Sequence, residues 1–237
     1  MNTIETILSP ALFPLRTMPS GHVTVAVDIL RATTSLCAAF FAGASEIVPL
    51  SALEELPAYQ SRGYTLAAER GGRKLDGAEC GNSPTEYLTM NLKGRRLAYS
   101  TTNGTVAILA ASQAGRTLVG AFANISALAE SLVAESNDVV LLCSGWLNSA
   151  SLEDTIFCGA LASRLVSFGK FQASDDATSL AIRLWLQAES DPYAFCAEAT
   201  HVKRLQRMGC DRDIRFAFQA DTCPVVPYFA DGRLVSL

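Results

Sequence analysis

Short apolar runs, each followed by a polar loop and then by a helix-forming segment, recur along this chain and constrain its fold more than any other feature. Val23–Asp28, Arg96–Ser100 and Val139–Cys143 are the clearest of these runs. Strands that are apolar throughout are buried on both faces, as in parallel sheets that carry helices on either side. The sequence therefore predicts an α/β fold, a three-layer α/β/α arrangement around a mostly parallel sheet.

The last third of the chain has a different pattern. The segments predicted there are, in order, helices at Asp175–Gln187 and Ala194–Met208 and strands at Asp213–Phe218 and Val225–Val235. Asp231-Gly232 is a hairpin signal, and an antiparallel edge here would make the sheet mixed. Because no linker interrupts the chain, residues 1–237 are predicted to form a single domain, with an α+β subregion from about residue 170.

Charge and cysteine usage exclude several classes of protein. The net charge of −4 and the pI near 5.2 argue against a protein that coats nucleic acid or an anionic membrane, because both need a concentrated basic face. Met1–Ser20 lacks the features of a signal peptide, and the seven cysteines are spaced like reduced, buried thiols. We expect a cytoplasmic protein whose low charged content, 18%, leaves room for a homodimer interface.

Two similar polar segments each follow a predicted strand. Thr101-Thr102-Asn103-Gly104 precedes the predicted helix Val106–Ala114, and Arg31-Ala32-Thr33-Thr34-Ser35 precedes the predicted helix Leu36–Ala42. Hydroxyl and amide groups beside the unpaired N–H groups of a helix start converge on a phosphate or carboxylate. Ligands of parallel sheets bind beyond the carboxyl ends of the strands, so the two segments predict one anion site. The same residue types also suit ordinary turns and caps.

Charged side chains stand at the same predicted strand ends. The carboxylates are Asp28, Glu69, Glu153 and Asp154, and the arginines are Arg31, Arg70 and Arg73. Mg²⁺ takes one or two carboxylates and completes its shell with water and substrate phosphate, and arginine suits bidentate capture of an anion. The set favours phosphoryl chemistry assisted by a metal. Glu153 and Asp154 also have the spacing of a capping box with Ser151, in which case they only stabilise a helix start.

Several other features are interpreted as structural. The cluster Lys203, Arg204 and Arg207 is predicted to be a solvated helix face, and the histidines His22 and His201 are predicted to be structural or solvated. No phosphate-binding loop with the GxxxxGK[ST] pattern and no GxGxxG fingerprint occurs. The Cys-x5-Arg spacing that begins at Cys158 lies within a helical pattern, where a phosphate cradle does not form, so no cysteine nucleophile is predicted.

A series of motifs resembles one known family in order and over nearly the entire chain. The motifs are Asp28-Ile29-Leu30-Arg31-Ala32-Thr33-Thr34, Ala68-Glu69-Arg70-Gly71, Gly81-Asn82-Ser83-Pro84, Thr101-Thr102-Asn103-Gly104-Thr105, Asn124 before Ser126-Ala127, Ser151-Leu152-Glu153-Asp154-Thr155 and Val226-Pro227. They resemble the 2-phosphosulfolactate phosphatase (ComB) family. The segment Asp76–Cys80 and the helix around His201 depart from the family pattern.

The resemblance implies a Mg²⁺-dependent phosphatase that converts (R)-2-phospho-3-sulfolactate to 3-sulfolactate and phosphate, a step towards coenzyme M. It also implies activity on phosphate esters of related 2-hydroxy acids, so the expected partner is a small anionic substrate. Attack by water and attack by Asp28 or Asp154 both stay open. A non-catalytic module that senses a phosphorylated acid is the alternative, because it needs the donors and arginines but no strict set of carboxylates.

The predicted site has three groups of residues. The catalytic residues are Asp28, Arg31, Glu153 and Asp154. The substrate-binding residues are Thr33, Thr34, Arg70, Asn82, Ser83, Thr101, Thr102, Asn103 and Gly104, with Arg70 and Arg73 at the acid end of the substrate. The Mg²⁺ ligands are Asp28 with Glu69 or Asp154.

Overall fold

The computed structural model describes residues 1–237 and confirms the alternation of strands and helices. The strands are β1 (Asn2–Ile7), β2 (Val23–Val27), β3 (Glu46–Pro49), β4 (Thr65–Arg70), β5 (Arg73–Lys74), β6 (Arg96–Ser100), β7 (Arg116–Gly120), β8 (Val139–Cys143), β9 (Phe171–Ala173), β10 (Pro227–Ala230) and β11 (Arg233–Ser236). The helices are α1 (Ala32–Phe41), α2 (Leu56–Ser61), α3 (Pro84–Tyr87), α4 (Gly104–Ser112), α5 (Ile125–Glu135), α6 (Leu152–Ser167), α7 (Asp176–Ala188), α8 (Pro192–Phe195), α9 (Thr200–Arg207) and α10 (Asp211–Ala217).

All the strands belong to one mixed sheet. Their order is β5-β4-β6-β3-β11-β10-β7-β2-β8-β1-β9. Pairing is parallel within β4-β6-β3 and within β7-β2-β8-β1-β9. Every residue of β2 and β8 is buried, as expected of strands covered on both faces. The predicted α/β fold with a mostly parallel sheet is therefore confirmed.

The C-terminal hairpin lies in the middle of the sheet, so its predicted position at an edge is wrong. Strand β10 pairs antiparallel with β7 at Tyr228 and Leu118, and β11 pairs antiparallel with β3 at Leu234 and Ile47. A hairpin has two free edges, and here each edge finds a strand from a different parallel half of the sheet. The hairpin thus joins the two halves, and its turn is at Asp231-Gly232, as the sequence predicts.

Two predictions for the last third are corrected. The segment predicted as a strand at Asp213–Phe218 lies largely in helix α10, because Asp213, Ile214 and Ala217 recur at helical spacing and are buried on one face. The predicted helix Ala194–Met208 is divided into α8 and α9 by a turn at residues 196–199, where Cys196 is fully buried. The turn allows α9 to lie beside loops at the carboxyl ends of the parallel strands.

The core includes residues from both ends of the chain. Ile4 in β1, Leu205 in α9 and Leu234 in β11 belong to one cluster of buried apolar side chains with β2 and β8. Strands β1 and β9 were not predicted, and they extend the sheet beyond β8, with β9 at its edge. All seven cysteines are free, and all except Cys210 are buried. Each helix is too short or too polar to cross a lipid bilayer.

Candidate active site

A small polar cavity lies beyond the carboxyl ends of β2, β4 and β6. The residues from the predicted site that line it are Asp28, Arg31, Glu69, Asn82, Thr101, Thr102 and Asn103. Its volume is about 20 Å³, which is enough for a water molecule or two. The sequence correctly placed these loops at one site, because parallel strands bring their carboxyl ends to the same edge of the sheet.

Asp28 directly follows β2 and presents a carboxylate to this cavity. Its Oδ1 accepts a hydrogen bond from the N–H of Ala32 at 3.2 Å, whereas its Oδ2 accepts none from the protein. Burial raises the pKa of Asp28 to about 6, the charge of His201 opposes this rise, and the nearby carboxylate of Glu69 adds to it. Asp28 is therefore a desolvated acid with one oxygen open to a ligand.

Asp154 and Glu69 each use both carboxylate oxygens to hold loops. Asp154 accepts from the N–H of Ile29 at 2.8 Å and from the N–H of Gly145 at 3.1 Å. Glu69 accepts from the N–H groups of Thr102 and Gly72. Burial, and then the charges of neighbouring carboxylates, raise the pKa of Asp154 well above its usual range. Both acids thus join segments that follow different strands.

Asp154 and Glu153 do not form a capping box with Ser151. Ser151 is the N-cap of α6, but its side chain accepts no hydrogen bond from the first turn. Glu153 Oε1 instead lies 2.9 Å from His201 Nδ1, and Glu153 Oε2 is buried without a hydrogen-bond partner. The sequence left two roles open for Glu153 and Asp154, helix capping and participation in the site. Their contacts do not form the capping box.

Thr33 and Thr34 lie inside helix α1 and do not line the cavity. The helix begins at Ala32, so these residues are not part of a loop as the sequence predicted. The hydroxyl of Thr33 donates to the carbonyl of Asp28 at 2.8 Å, and the hydroxyl of Thr34 donates to the carbonyl of Ile29 at 2.9 Å. Both hydroxyls therefore hold the Asp28 loop in shape, and neither is free to bind substrate.

The segment Thr101–Gly104 keeps the features of an anion cradle. Asn103 lines the cavity, and its side chain makes no capping hydrogen bond to α4. The N–H groups of Thr102 and Thr105 have partners in the protein, whereas those of Asn103 and Gly104 donate to none. Two free N–H groups and an amide at a helix start are suited to an anion.

Gly104 allows α4 to approach the Asp28 loop closely. A Cβ at this position would lie 2.1 Å from the Cβ of Ala32 and 2.9 Å from Oδ2 of Asp28. We expect Gly104→Ala to lower the free energy of unfolding by about 1–3 kcal/mol through overpacking. We also expect it to lower the rate of phosphate release by about 10- to 100-fold, because Asp28 and the cradle must move apart. Thermal denaturation and steady-state kinetics measure the two effects.

Val106→Ala is the matched control for Gly104→Ala. Val106 lies on the same helix and its side chain is 50% exposed, so we expect little change in either quantity. A Gly104→Ala protein with the melting temperature and rate of the wild type would contradict the close approach described here.

Arg31 lines the cavity and is held by an acid that the sequence did not identify. Its guanidinium donates to Oδ2 of Asp213 at 2.7 Å and to the carbonyl of Gly72 at 3.0 Å. Asp213 Oδ1 accepts from the hydroxyls of Ser83 and Thr85. Asp213 was overlooked because its segment was predicted to be a strand. It sets the position of Arg31 from helix α10.

The predicted substrate-binding residues Asn82, Ser83 and Arg70 have different positions. Asn82 lines the cavity, and its Oδ1 accepts from the hydroxyl of Tyr99 at 2.6 Å, which leaves the NH₂ group for a ligand. Ser83 is the N-cap of α3 and does not line the cavity. Arg70 donates to the carbonyl of Glu69 and to the hydroxyl of Ser100, and Arg73 is exposed on β5, so neither lines the cavity.

Six lining residues were absent from the predicted site, and three of them, Trp146, His201 and Arg204, have aromatic or basic side chains. Trp146 follows β8, and His201 and Arg204 lie on α9. The ring of Trp146 stacks on His201 with centroids 4.8 Å apart, and the Arg204 guanidinium lies 4.5 Å from the Trp146 ring centroid. Arg204 was predicted to lie on a solvated helix face; it is partly buried and also contacts Trp146. The sequence pattern that could have identified these two residues is the i, i+3 spacing of His201 and Arg204, which places both on one helix face.

The residues of the cavity fit a divalent cation. No group of three or more Asp, Glu, His or Cys side chains is arranged to hold a metal ion. Mg²⁺, however, needs only one or two carboxylates, with water and phosphate oxygens as its other ligands. Asp28 lines the cavity with an open oxygen and a raised pKa. Two buried acids outside the lining, Glu153 with a partnerless Oε2 and Asp154 with a raised pKa, add negative charge that the protein compensates incompletely.

Comparison with known proteins finds similarity along nearly the whole chain. A model of the family described as 2-phosphosulpholactate phosphatase matches residues 7–232. A protein of Parasynechococcus marenigrum named "probable 2-phosphosulfolactate phosphatase" is 38% identical over 92% of each chain. Proteins of the same name from Synechococcus sp. (strain CC9605) and Caldanaerobacter subterraneus subsp. tengcongensis are 37% identical over 92% of each chain and 32% identical over 88% of each chain.

Proposed function

Because this chain belongs to the 2-phosphosulfolactate phosphatase family, we propose that it hydrolyses (R)-2-phospho-3-sulfolactate to 3-sulfolactate and phosphate with the help of Mg²⁺. Membership of this family makes it a phosphoric monoester hydrolase, and favours the enzyme over a non-catalytic binding module. The single observation that carries the proposal for this site is the juxtaposition of a carboxylate oxygen without a partner, Asp28 Oδ2, and the anion cradle at Asn103 and Gly104.

Mg²⁺ would be held by Asp28, with Glu69 or Asp154 as a second carboxylate. When bound, it would neutralise charge on the phosphoryl oxygens. The second lone pair on each oxygen of Glu69 and Asp154 leaves both acids able to ligate a cation while they hold their loops. Asp28 is the stronger candidate because only one of its oxygens accepts a hydrogen bond.

The phosphate of the substrate would be bound by the cradle and by Arg31. Asn103 and Asn82 line the cavity and are neutral donors, the free N–H of Gly104 follows that of Asn103 along the chain, and the Arg31 guanidinium adds a positive charge. Asp213 and the carbonyl of Gly72 fix that guanidinium before the substrate arrives. Preorganised donors of this kind stabilise the charge that develops on a phosphoryl group in the transition state.

The leaving group is the 2-oxygen of the hydroxy acid, which needs a proton as the bond to phosphorus breaks. His201 is the only imidazole that lines the cavity. Its Nδ1 is engaged by Glu153, so Nε2 is the nitrogen left to transfer that proton. Attack on phosphorus by water and by the Asp28 carboxylate both fit this arrangement. Asp154 is the weaker candidate nucleophile, because it does not line the cavity.

Removal of metal is the direct test of the proposed function. We expect phosphate release from 2-phospho-3-sulfolactate to stop in EDTA and to return when Mg²⁺ is added in excess. We also expect Mg²⁺ alone to raise the melting temperature of the metal-free protein, because a ligand that binds only the folded state stabilises it.

Failure of the role of Mg²⁺ and failure of the hydrolase activity give different results in this test. A metal-free protein that hydrolyses the ester at the full rate would overturn the role of Mg²⁺ but not the hydrolysis. Absence of phosphate release from this ester, and from the esters of related 2-hydroxy acids, in the presence of Mg²⁺ would overturn the enzyme itself. In that case binding of the intact ester would support the sensing module.

A further inference from the structure

Arg204 is the one side-chain cation of the cavity wall that lacks an acidic partner. Arg31 is paired with Asp213, and His201 is paired with Glu153. Arg204 forms no ion pair with any carboxylate of the protein, although it lines the same cavity. A positive charge at a partly enclosed site without a counter-charge favours the binding of an anion.

The Arg204 guanidinium is held in place by two neutral contacts. It lies over the ring of Trp146, 4.5 Å from the centroid, and donates to the carbonyl of Gly71. Arg31 donates to the next carbonyl, that of Gly72. The Arg31 guanidinium, from the N-cap of α1, and the Arg204 guanidinium, from α9, therefore meet the same two-residue turn. An arginine that is oriented by an aromatic ring and a carbonyl loses less side-chain entropy when it binds a ligand.

The Gly71-Gly72 turn needs glycine for this arrangement. Both residues have positive φ, +60° and +84°. A Cβ at Gly72 would lie 2.9 Å from Cε of Met208 and 3.4 Å from a nitrogen of Arg204. Absence of a side chain at this turn therefore lets α9 bring Arg204 against the turn and into the cavity wall.

We propose that Arg204 binds the sulfonate of the substrate and so selects phosphorylated hydroxy acids that carry a second strong acid group. The inference rests on the proposed function. It assigns the phosphate to Arg31 and the Asn103–Gly104 cradle. It assigns the sulfonate to Arg204, the cation of the cavity wall that has no acidic partner. A guanidinium stacked on an aromatic ring is weakly hydrated and offers several parallel donors, which match the three oxygens of a weakly hydrated sulfonate.

This assignment replaces the sequence-based expectation for the acid end of the substrate. Arg70 and Arg73 were expected there, but neither lines the cavity. The Arg70 guanidinium is bound to the carbonyl of Glu69 and the hydroxyl of Ser100, and Arg73 is exposed. The faces of the Trp146 ring carry His201 and Arg204, so its edge is the apolar surface left for the carbon chain of the substrate between its phosphate and its sulfonate.

The test compares Arg204→Gln with the wild type on two esters, 2-phospho-3-sulfolactate and 2-phospholactate, which lacks the sulfonate. For the sulfonated ester we expect the KM to rise about 10- to 100-fold with a small change in kcat, because a charge-assisted contact is lost in both the ground and transition states. For 2-phospholactate we expect the KM to change less than about threefold, within the effect of an ordinary surface change. The preference for the sulfonated ester thus collapses.

Arg207→Gln is the matched control, because Arg207 is exposed on the same helix and does not line the cavity. We expect the control to keep the wild-type KM for both esters. Arg204→Lys is the second variant, in case the loss of contacts with Trp146 and Gly71 unfolds Arg204→Gln. The lysine keeps the charge without the planar fork, so we expect a smaller rise in KM that is still confined to the sulfonated ester.

Two results would overturn the assignment. Equal increases of KM for both esters would mean that Arg204 binds the phosphate or the carboxylate that the esters share. An unchanged KM for both would mean that Arg204 does not contact the substrate. Failure of the proposed function is distinguishable from these results, because the wild type would then release no phosphate from either ester.

Discussion

Asp28→Asn is expected to lower the rate of phosphate release by about 10³-fold or more, while the protein stays folded. The substitution keeps the size of the side chain and an acceptor oxygen for the N–H of Ala32, but it removes the negative charge at Oδ2. It therefore removes the proposed Mg²⁺ ligand and the candidate nucleophile together. Steady-state kinetics under saturating Mg²⁺, with circular dichroism for the fold, measure the effect.

Asp138→Asn is the matched control for Asp28→Asn. Asp138 also adjoins a central strand, but it precedes β8 and lies at the opposite end of the sheet, where it accepts from the backbone and hydroxyl of Thr3. We expect the control to lose stability and to keep the wild-type rate. Mg²⁺ should also raise the melting temperature of the control and not that of Asp28→Asn. Wild-type turnover by Asp28→Asn would remove this residue from the site.

Asp154→Asn is expected to lower the rate by about 10³-fold and to lower the melting temperature as well. Asparagine has one carbonyl oxygen, so its NH₂ group would face the N–H of Ile29 or of Gly145, donor against donor. An unsatisfied buried pair of this kind costs about 1–3 kcal/mol. The loop that carries Asp28 and the loop that carries Trp146 would then lose their common anchor.

Asp176→Asn is the matched control for Asp154→Asn. It tests whether the loss of any acid from the first turn of a helix has the same effect as the loss of the anchor at Asp154. Asp176 lies in the first turn of α7, where it does not line the cavity. We expect the control to change the melting temperature slightly and the rate not at all. If Asp154→Asn also changed only the melting temperature, Asp154 would be a stabilising residue and not part of the catalytic site.

The loops that form the site could be predicted because the polar segments follow fully apolar strands. Asp28 after β2 and Thr101–Asn103 after β6 line one cavity, as the parallel topology requires. Individual side-chain roles were less predictable. Thr33 and Thr34 have the composition of a phosphate loop, yet their hydroxyls bond to carbonyls of their own loop. Composition does not distinguish a donor to a ligand from a donor to the backbone.

The contributions of the last third could not be predicted, because they depend on contacts between distant segments. Asp213 reaches Arg31 across 182 positions, and His201 reaches Glu153 across 48. No local pattern around Asp213, His201 or Arg204 specifies these partners. The same limit applies to the C-terminal hairpin, whose turn is evident at Asp231-Gly232 but whose neighbours, β7 and β3, are set by packing.

The sequence by itself determined the α/β class, the parallel strands and the place of the site, because these depend on the local period of apolar residues and on where polar residues interrupt it. Only the tertiary structure decided which side chains face the cavity. Arg204 enters the wall because α9 packs against the Gly71-Gly72 turn and Trp146, whereas Arg70, on the strand that leads into that turn, is held by Ser100. The two arginines differ in the distant residues that they contact, and the spacing of residues along the chain does not predict such contacts.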